Sequence, residues 1–300
     1  MTVNGPSDAG KLGITLMHEH LFVNVLREYR RDGLLNDPRL ARREVEGFMK
    51  VGGETIVDVT TAELGQNPLG LRAIMKETGV NIIMGTGHYR DPYLDKEWFD
   101  SHSVDAIAEL MVRDIEHGVG ETNVRAGIIG EIGSDKWYVS AAEERSFRAA
   151  ARAQARTGVT ITTHAARWPV GRQQLEILLQ EGADPHRIII GHCDSNPDLE
   201  YHQELARQGC FVEFDTIRGT TEYDTERVAD YVVSLIRAGF GRHVLLSHDV
   251  CLRSHLRIAG GCGYSYVMTD FIPYLHRLGL NEEEIHMLIV DNPRRALAGE

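Results

Sequence analysis

The 300-residue chain has a mass of 33.6 kDa, 42% hydrophobic and 25% charged residues, a net charge of −12 and a pI near 5.6. That composition excludes a disordered chain, a collagen-like chain and a small disulfide scaffold. The acidic surplus leaves no basic face for a phosphate backbone, so nucleic acid is not an expected partner. Cys193, Cys210, Cys251 and Cys262 form no C-x-x-C pair, and the chain does not open on a basic segment followed by an apolar one. No apolar run reaches the roughly 18 residues of a membrane span. The expectation is a cytoplasmic protein with reduced thiols and no membrane partner.

In chain order, short β-branched runs alternate with longer stretches of helical spacing. Strand Gly13–His20 precedes helix Asp37–Lys50, strand Thr55–Thr60 helix Asn67–Glu77, strand Asn81–Thr86 helix Ser103–His117, and strand Ala126–Ile132 helix Ser140–Thr157. Strand Thr160–His164 then precedes helix Gly171–Gln180, strand Ile188–His192 helix Asp198–Arg207, strand Phe211–Asp215 helix Asp224–Ala238, and strand Val244–Asp249 helix Asn281–Val290. Gly79, Gly158, Gly182, Gly209 and Gly239 suit helix stops. Strands that alternate with helices pair in parallel through right-handed crossovers. Eight such units fit an α/β fold, the closed (β/α)8 TIM barrel, as a single domain over residues 1–300. The alternative is an open doubly wound sheet, but Gly85-x-Gly87 runs into His88-Tyr89-Arg90 and not into the third glycine of a dinucleotide-binding turn.

Ligand-type side chains fall at the C-terminal ends of these strands, where active sites of this fold lie. His18 and His20 close the first strand, Glu131 the fourth, His164 the fifth, His192 the sixth and Asp249 the eighth. In a strand, residues i and i+2 share a face about 6–7 Å apart, so His18 and His20 can reach one cation together. Glu19, between them, faces the other way and reads as buried support. Glu131 lies inside G-I-I-G-E-I-G and Asp249 ends V-L-L-S-H-D; carboxylates placed there need a cation or donors against desolvation. Four imidazoles and two carboxylates make a nitrogen and oxygen set suited to zinc, manganese or cobalt. The set is too large for one tetrahedral ion. With one carboxylate bridging, it fits two divalent ions about 3.5–4 Å apart.

Competing chemistries lack their residues. There is no G-x-S-x-G, no P-loop and no H-E-x-x-H. Cys193 adjoins His192, but neighbours on a strand face opposite ways, which denies them a Cys–His pair. A glycosidase on this barrel would use two carboxylates and would not need the histidines. Arg90 follows the third strand, Arg167 the fifth, Arg218 the seventh, and Arg253 and Arg257 the eighth. Guanidiniums gathered at that face read as receivers of carboxylate or phosphate. The small-molecule substrate is therefore expected to be anionic, with Arg218, Arg253 and Arg257 as its candidate binding residues.

The segment T-L-M-H-E-H-L-F-V-N (Thr15–Asn24), the order H-x-H, bridging residue, His, His and Asp, and the tail D-N-P-R-R-A-L (Asp291–Leu297) resemble the phosphotriesterase-like family of the amidohydrolase superfamily. The resemblance covers nearly the whole chain. It implies a (β/α)8 barrel with two divalent metals, His18, His20 and Asp249 on the more buried ion and His164 and His192 on the more exposed one. Family phosphotriesterases carry a carboxylated lysine where this chain has Glu131; Lys136 lies beyond the strand end. Fast triesterases also carry a histidine where Thr216 follows Asp215. The chain is thus similar to the Glu-bridged, phosphotriesterase-related branch. Tyr89, in G-T-G-H-Y, matches a tyrosine that in lactonase relatives leans over the bridging hydroxide, which implies a catalytic place beside Asp249, the proton acceptor. The expected reaction is metal-dependent, zinc first among the metals, and hydrolyses a carboxylic ester, above all an anionic lactone. The alternatives are an N-acyl amide, a weak side activity on organophosphate triesters and, last, a metal-bearing binding protein without turnover. Dimers are common in the resembled family, so a homodimer is the expected assembly.

Overall fold

The computed structural model describes residues 1–299, without the side chain of Glu222; Glu300, the last residue of the expected domain, lies outside it. Eight strands pair in parallel, each with the next in the chain. They are β1 (Thr15–Glu19), β2 (Thr55–Asp58), β3 (Asn81–Thr86), β4 (Ile128–Gly133), β5 (Ile161–His164), β6 (Ile188–Gly191), β7 (Phe211–Phe214) and β8 (Val244–Leu246). Helices lie between consecutive strands, and the architecture is the expected (β/α)8 barrel. Helix starts are written locally. Asp37, Asn67, Ser103, Ser140, Asp198 and Thr221 each accept a backbone N–H of the first turn. Ser140 and Glu143 complete a reciprocal capping box.

Alternation along the strands produces two apolar layers. Met17, Val57, Ile83, Ile189, Phe211 and Leu245, each from a different strand, pack together as the smaller cluster inside the barrel. A larger cluster, with Phe48, Ile74, Met111, Phe147, Leu205 and Val232, joins the sheet to its helices. At the C-terminal strand ends the apolar filling gives way to buried polar side chains, among them His18, Asp58, Glu131 and Asp215.

The barrel closes in an unusual way. Backbone ladders run from β1 through β8, but the seam between β8 and β1 is carried mainly by side chains. Glu19 Oε1 accepts from Ser247 Oγ at 2.9 Å and from His248 N and Nδ1 at 2.9 and 2.8 Å, while Oε2 accepts from Val250 N at 2.9 Å. Ser247 Oγ also accepts the His18 N–H at 3.0 Å, and Asp249 N donates to the His18 carbonyl at 3.1 Å. His248 Nε2 accepts from Val267 N at 2.9 Å, which fixes the proton on Nδ1, facing Glu19. The expectation that Glu19 is buried support holds.

Five strands, β1, β2, β6, β7 and β8, end earlier than expected, β3 and β5 end as expected, and β4 runs one residue further, to Gly133. β6 stops before His192, and β8 stops three residues before Asp249. Both residues adopt left-handed backbone angles, φ 55° and φ 49°, which no extended ladder accommodates. The run Val244–Asp249 also leaves its ladder because Ser247 and His248 are engaged at the seam. Periodicity gives no notice of the two-stranded ribbon Val23–Asn24 with Leu34–Leu35, or of the helix Lys96–Ser101. The expected helix Asn281–Val290 runs as Glu282–His286, widens into a π turn over Met287–Asp291 and continues as Asn292–Ala298. Pro293 follows that wide turn, as Pro273 follows the one at Val267–Phe271. A π turn makes room for a residue that lacks an N–H and crowds the preceding turn.

Candidate metal centre

β4 delivers Glu131 to the middle of the barrel mouth. Gly130 has φ +123°, and a Cβ there would meet the Thr162 carbonyl oxygen at 2.1 Å, so only glycine lets β4 press so close to β5. Glu131 is 2% exposed and faces four imidazoles. Its Oε2 lies 2.9 Å from His164 Nδ1, 3.5 Å from His192 Nε2 and 3.6 Å from His18 Nε2; Oε1 lies 3.4 Å from His20 Nε2. Asp249 Oδ1 sits 3.4 Å from the same His20 nitrogen. The structure thus brings the six expected ligand residues together.

The supports of the rings decide what they present. The Thr60 hydroxyl donates to the Phe22 carbonyl at 3.1 Å and therefore accepts from His20 Nδ1 at 2.8 Å. A neutral His20 then turns the bare lone pair of Nε2 toward two carboxylates. Asp215 holds His192 Nδ1 at 2.6 Å and the His192 backbone N–H at 2.9 Å, and lies 3.1 Å from His18 Nδ1. His18 is fully buried, and neither of its ring nitrogens has a hydrogen-bond partner among the described residues. Lone pairs buried against carboxylates repel unless a cation lies between them. Atoms each about 2.1 Å from a tetrahedral ion lie roughly 3.4 Å apart, the spacing found at His20–Glu131 and His20–Asp249. The residues fit divalent cations, with Glu131 common to a set with His18 and His20 and a set with His164 and His192.

Electrostatics point the same way. Burial opposes charge on every ring, yet Asp249 and Glu131 raise His20 to about 9, and Asp215 and Glu131 raise His192 to about 10. Burial and the neighbouring His192 depress His164 to about 4, so it meets Glu131 as a neutral ring. Burial also works against Glu131, Asp215 and Asp249. The imidazoles, and for Asp249 above all Arg218, nevertheless hold all three below the usual carboxylate range. Glu213 differs: burial pushes it up, and neither carboxylate oxygen has a hydrogen-bond partner among the described residues, with Oε2 3.5 Å from His18 Nδ1. Cations bound here would supply the positive charge that the rings otherwise draw from protons.

The cluster floors a cavity of about 230 Å³. Tyr89 lines it, its hydroxyl 3.2 Å from His164 Nδ1. Thr216 lines it too, but its hydroxyl is turned onto Asp194. Arg218 reaches the cavity with its guanidinium already engaged, Nη2 on Asp249 Oδ2 at 2.8 Å and Nε on the His248 carbonyl at 2.6 Å. Arg90 is likewise held, by Glu28 at 2.5 Å and by Asp135. Arg253 and Arg257 correct the sequence reading, because neither lines the cavity. Ser254 ties that loop outward to Asp32 through bonds of 2.9 and 2.7 Å, leaving Arg253 over a crevice with Leu34 and Tyr264. Arg257 donates to Ser265 Oγ at 2.7 Å on the outer face, beside the helix Pro38–Met49. Thr60, Asp215 and Glu213 are functional neighbours that spacing did not single out. Only the position of Asp215 at a strand end hinted at its part.

A model of the phosphotriesterase family matches residues 1–297. The chain is 34% identical over 283 residues to a phosphotriesterase homology protein of Escherichia coli (strain K12), covering 94% of this chain and 96% of that one. A crystal structure of the phosphotriesterase homology protein from Escherichia coli, complexed with phosphate in its active site, superposes with a TM-score of 0.91 at 33% identity, over 95% and 98% of the two chains. A lactonase of Listeria monocytogenes gives a TM-score of 0.91 at 28% identity, over 99% and 98%. An N-acetyltaurine hydrolase of Dictyostelium discoideum is 29% identical over 360 residues, covering 99% and 96%.

Proposed function

Because the chain belongs to the phosphotriesterase family, we propose that it is a hydrolase holding two divalent cations, zinc in first place, and that it opens a lactone or carboxylic ester carrying an anionic group. The observation that carries this reading is the convergence of four imidazoles on the two oxygens of Glu131, with buried His18 set between carboxylates, Nε2 3.6 Å from Glu131 and Nδ1 3.1 Å from Asp215, and no hydrogen bond formed by either nitrogen. In this reading His18, His20 and Asp249 would hold one cation and His164 and His192 the other, with Glu131 shared. Cations held there would lower the pKa of a water toward neutrality and would polarise a carbonyl.

The remaining chemistry belongs to the chain's own residues. Asp215 and Thr60 lock His192 and His20 by their Nδ1 atoms, so the Nε2 atoms cannot turn away. Arg218 engages Oδ2 of Asp249 and keeps the carboxylate ionised, leaving Oδ1 turned to the cluster, where it takes the proton that the attacking water loses. The phenol of Tyr89, pushed well above its ordinary range by burial, stays protonated and can donate toward substrate above His164. The lactonase of Listeria monocytogenes supports a lactone substrate. The phosphate bound by the Escherichia coli relative supports an anionic one.

A second reading, hydrolysis of an N-acyl amide, is favoured by the N-acetyltaurine hydrolase relative. One experiment separates the two. Protein reconstituted with zinc is analysed for metal and then assayed against a panel of lactones, N-acyl amino acids and N-acetyltaurine. Two ions per chain with turnover of lactones supports the first reading, turnover of amides alone supports the second, and no turnover at full metal content overturns both.

A further inference from the structure

The cavity wall carries more charged groups than the metal centre needs, and nearly all of them are paired. Glu28 and Asp135 both bind Arg90, whose side chain is 9% exposed. Asp249 binds Arg218, and Glu131 faces the imidazoles. Arg167 stands apart. It lines the same cavity, its side chain is exposed, and among the described residues its guanidinium has no hydrogen bond and no ion pair. Of the three guanidiniums that line the cavity, Arg90 and Arg218 are held by carboxylates, and that of Arg167 is left free to meet a ligand.

Its backbone is held where a cation at the mouth would be useful. Arg167 has φ +71°, a conformation uncommon for a residue with a long side chain. Its N–H donates to Ser195 Oγ at 2.7 Å, and that hydroxyl donates to the His192 carbonyl at 2.7 Å. The loop after β5 is thereby tied through one hydroxyl to the residue that presents an imidazole to the cluster. A backbone fixed in a sparsely populated region points to a constraint at a functional site. Tyr29, part-exposed, lines the same cavity from the segment after β1.

We propose that Arg167 receives the anionic terminus of the substrate, a carboxylate, phosphate or sulfonate, at the cavity mouth, on the side of the substrate away from its scissile carbonyl. This rests on the hydrolase reading of the centre below it. It assigns the selection for charge to Arg167, since Arg218 is occupied by Asp249 and Arg253 and Arg257 lie outside the cavity. A guanidinium is suited to the task because its planar fork matches two oxygens of one anion. Arg167 is then a specificity residue, taking no part in bond breaking.

The test uses the full-length, zinc-loaded protein and a matched pair of γ-lactones, one bearing a carboxylate at the end of its side chain and one bearing a methyl group there. The readout is the ratio of kcat/KM for the charged lactone to that for the neutral one. Wild type should prefer the charged member, and Arg167→Met should lower the ratio by roughly tenfold to a hundredfold, chiefly through KM. Arg167→Lys should restore part of it. Matching phosphate and sulfonate compounds show which anion fits best. A ratio unchanged in Arg167→Met overturns the assignment while leaving the hydrolase reading in place. If wild type opens neither lactone, the lactone reading fails on its own, and the assignment is decided by calorimetric titration of the dicarboxylate produced by chemical ring opening. Tighter binding to wild type than to Arg167→Met sustains it, and equal binding overturns it.

Discussion

Replacing Glu19 by glutamine tests whether the seam is held as its hydrogen bonds suggest. The carboxylate is fully buried and accepts from Ser247 Oγ, His248 N and His248 Nδ1 on one oxygen and from Val250 N on the other. An amide can keep at most the three bonds on its oxygen, because its nitrogen must then face the Val250 N–H, donor against donor. Turned the other way, it loses the three and keeps one. In the better orientation one charge-assisted bond disappears, at about 1.5–3 kcal/mol, and the survivors weaken toward neutral strength. A neutral side chain costs less to bury, which offsets part of the loss and leaves about 2–4 kcal/mol of destabilisation. At about 2–4 °C per kcal/mol for domains somewhat smaller than this, Glu19→Gln should melt roughly 5–10 °C below wild type. The assay is thermal unfolding by circular dichroism on metal-stripped protein, so that bound ions do not mask the difference. Zinc titration of the refolded variant should also show weakened binding, since His248 and Val250 flank Asp249. A midpoint within about 1 °C of wild type, with unchanged zinc affinity, would refute the view that this carboxylate closes the barrel.

Glu131→Gln should lose metal, because a neutral amide bridges two cations poorly; elemental analysis that returns two ions per chain would count against the shared carboxylate. Dialkyl aryl phosphate triesters should be poor substrates beside lactones, since Thr216 is turned onto Asp194 and offers no relay histidine. A triester kcat/KM exceeding that of every lactone in the panel would reverse that expectation. His202 is fully buried, with Nε2 donating to the Cys193 carbonyl at 2.9 Å, and burial lowers its pKa from 6.5. A depressed folded-state value means that below 6.5 the unfolded chain binds the proton first, so this contribution to stability is full above that pH and declines as pH falls. His202→Gln should therefore flatten the dependence of the urea midpoint on pH below neutrality in metal-stripped protein, and an unaltered slope would exclude the mechanism.

Much of the centre could be read from the chain because strand periodicity and ligand chemistry coincide. His164 closes a β-branched run and His192 follows an apolar one, and the barrel topology brings such positions to one mouth. The supports were harder to see. Thr60 and Asp215 matter through the tautomer each imposes on an imidazole 40 and 23 positions away, and no local pattern encodes that pairing. The loop after β8 misled for a related reason. Arg253 lies four positions past Asp249 in sequence, yet the chain turns through two short 3-10 segments, Arg253–His255 and Arg257–Ala259, and Ser254 anchors it to Asp32. Nearness along a loop says little about direction once side-chain bonds decide its path. The left-handed backbone at His192 and Asp249 was equally hidden, because the surrounding bonds impose it against the preference of either residue type.

The seam also sets an order in time. Glu19 meets groups 228 to 231 positions further along the chain, so the first strand must wait for the last. At about 5–20 residues per second, synthesis of the intervening chain takes roughly 12–45 s. Throughout that interval His18 and His20 exist without Asp249, and one edge of β1 has no partner to cover it. The nascent chain therefore passes through a stage in which most of the barrel can form while its metal centre cannot be completed, and ion uptake by the full set must follow closure.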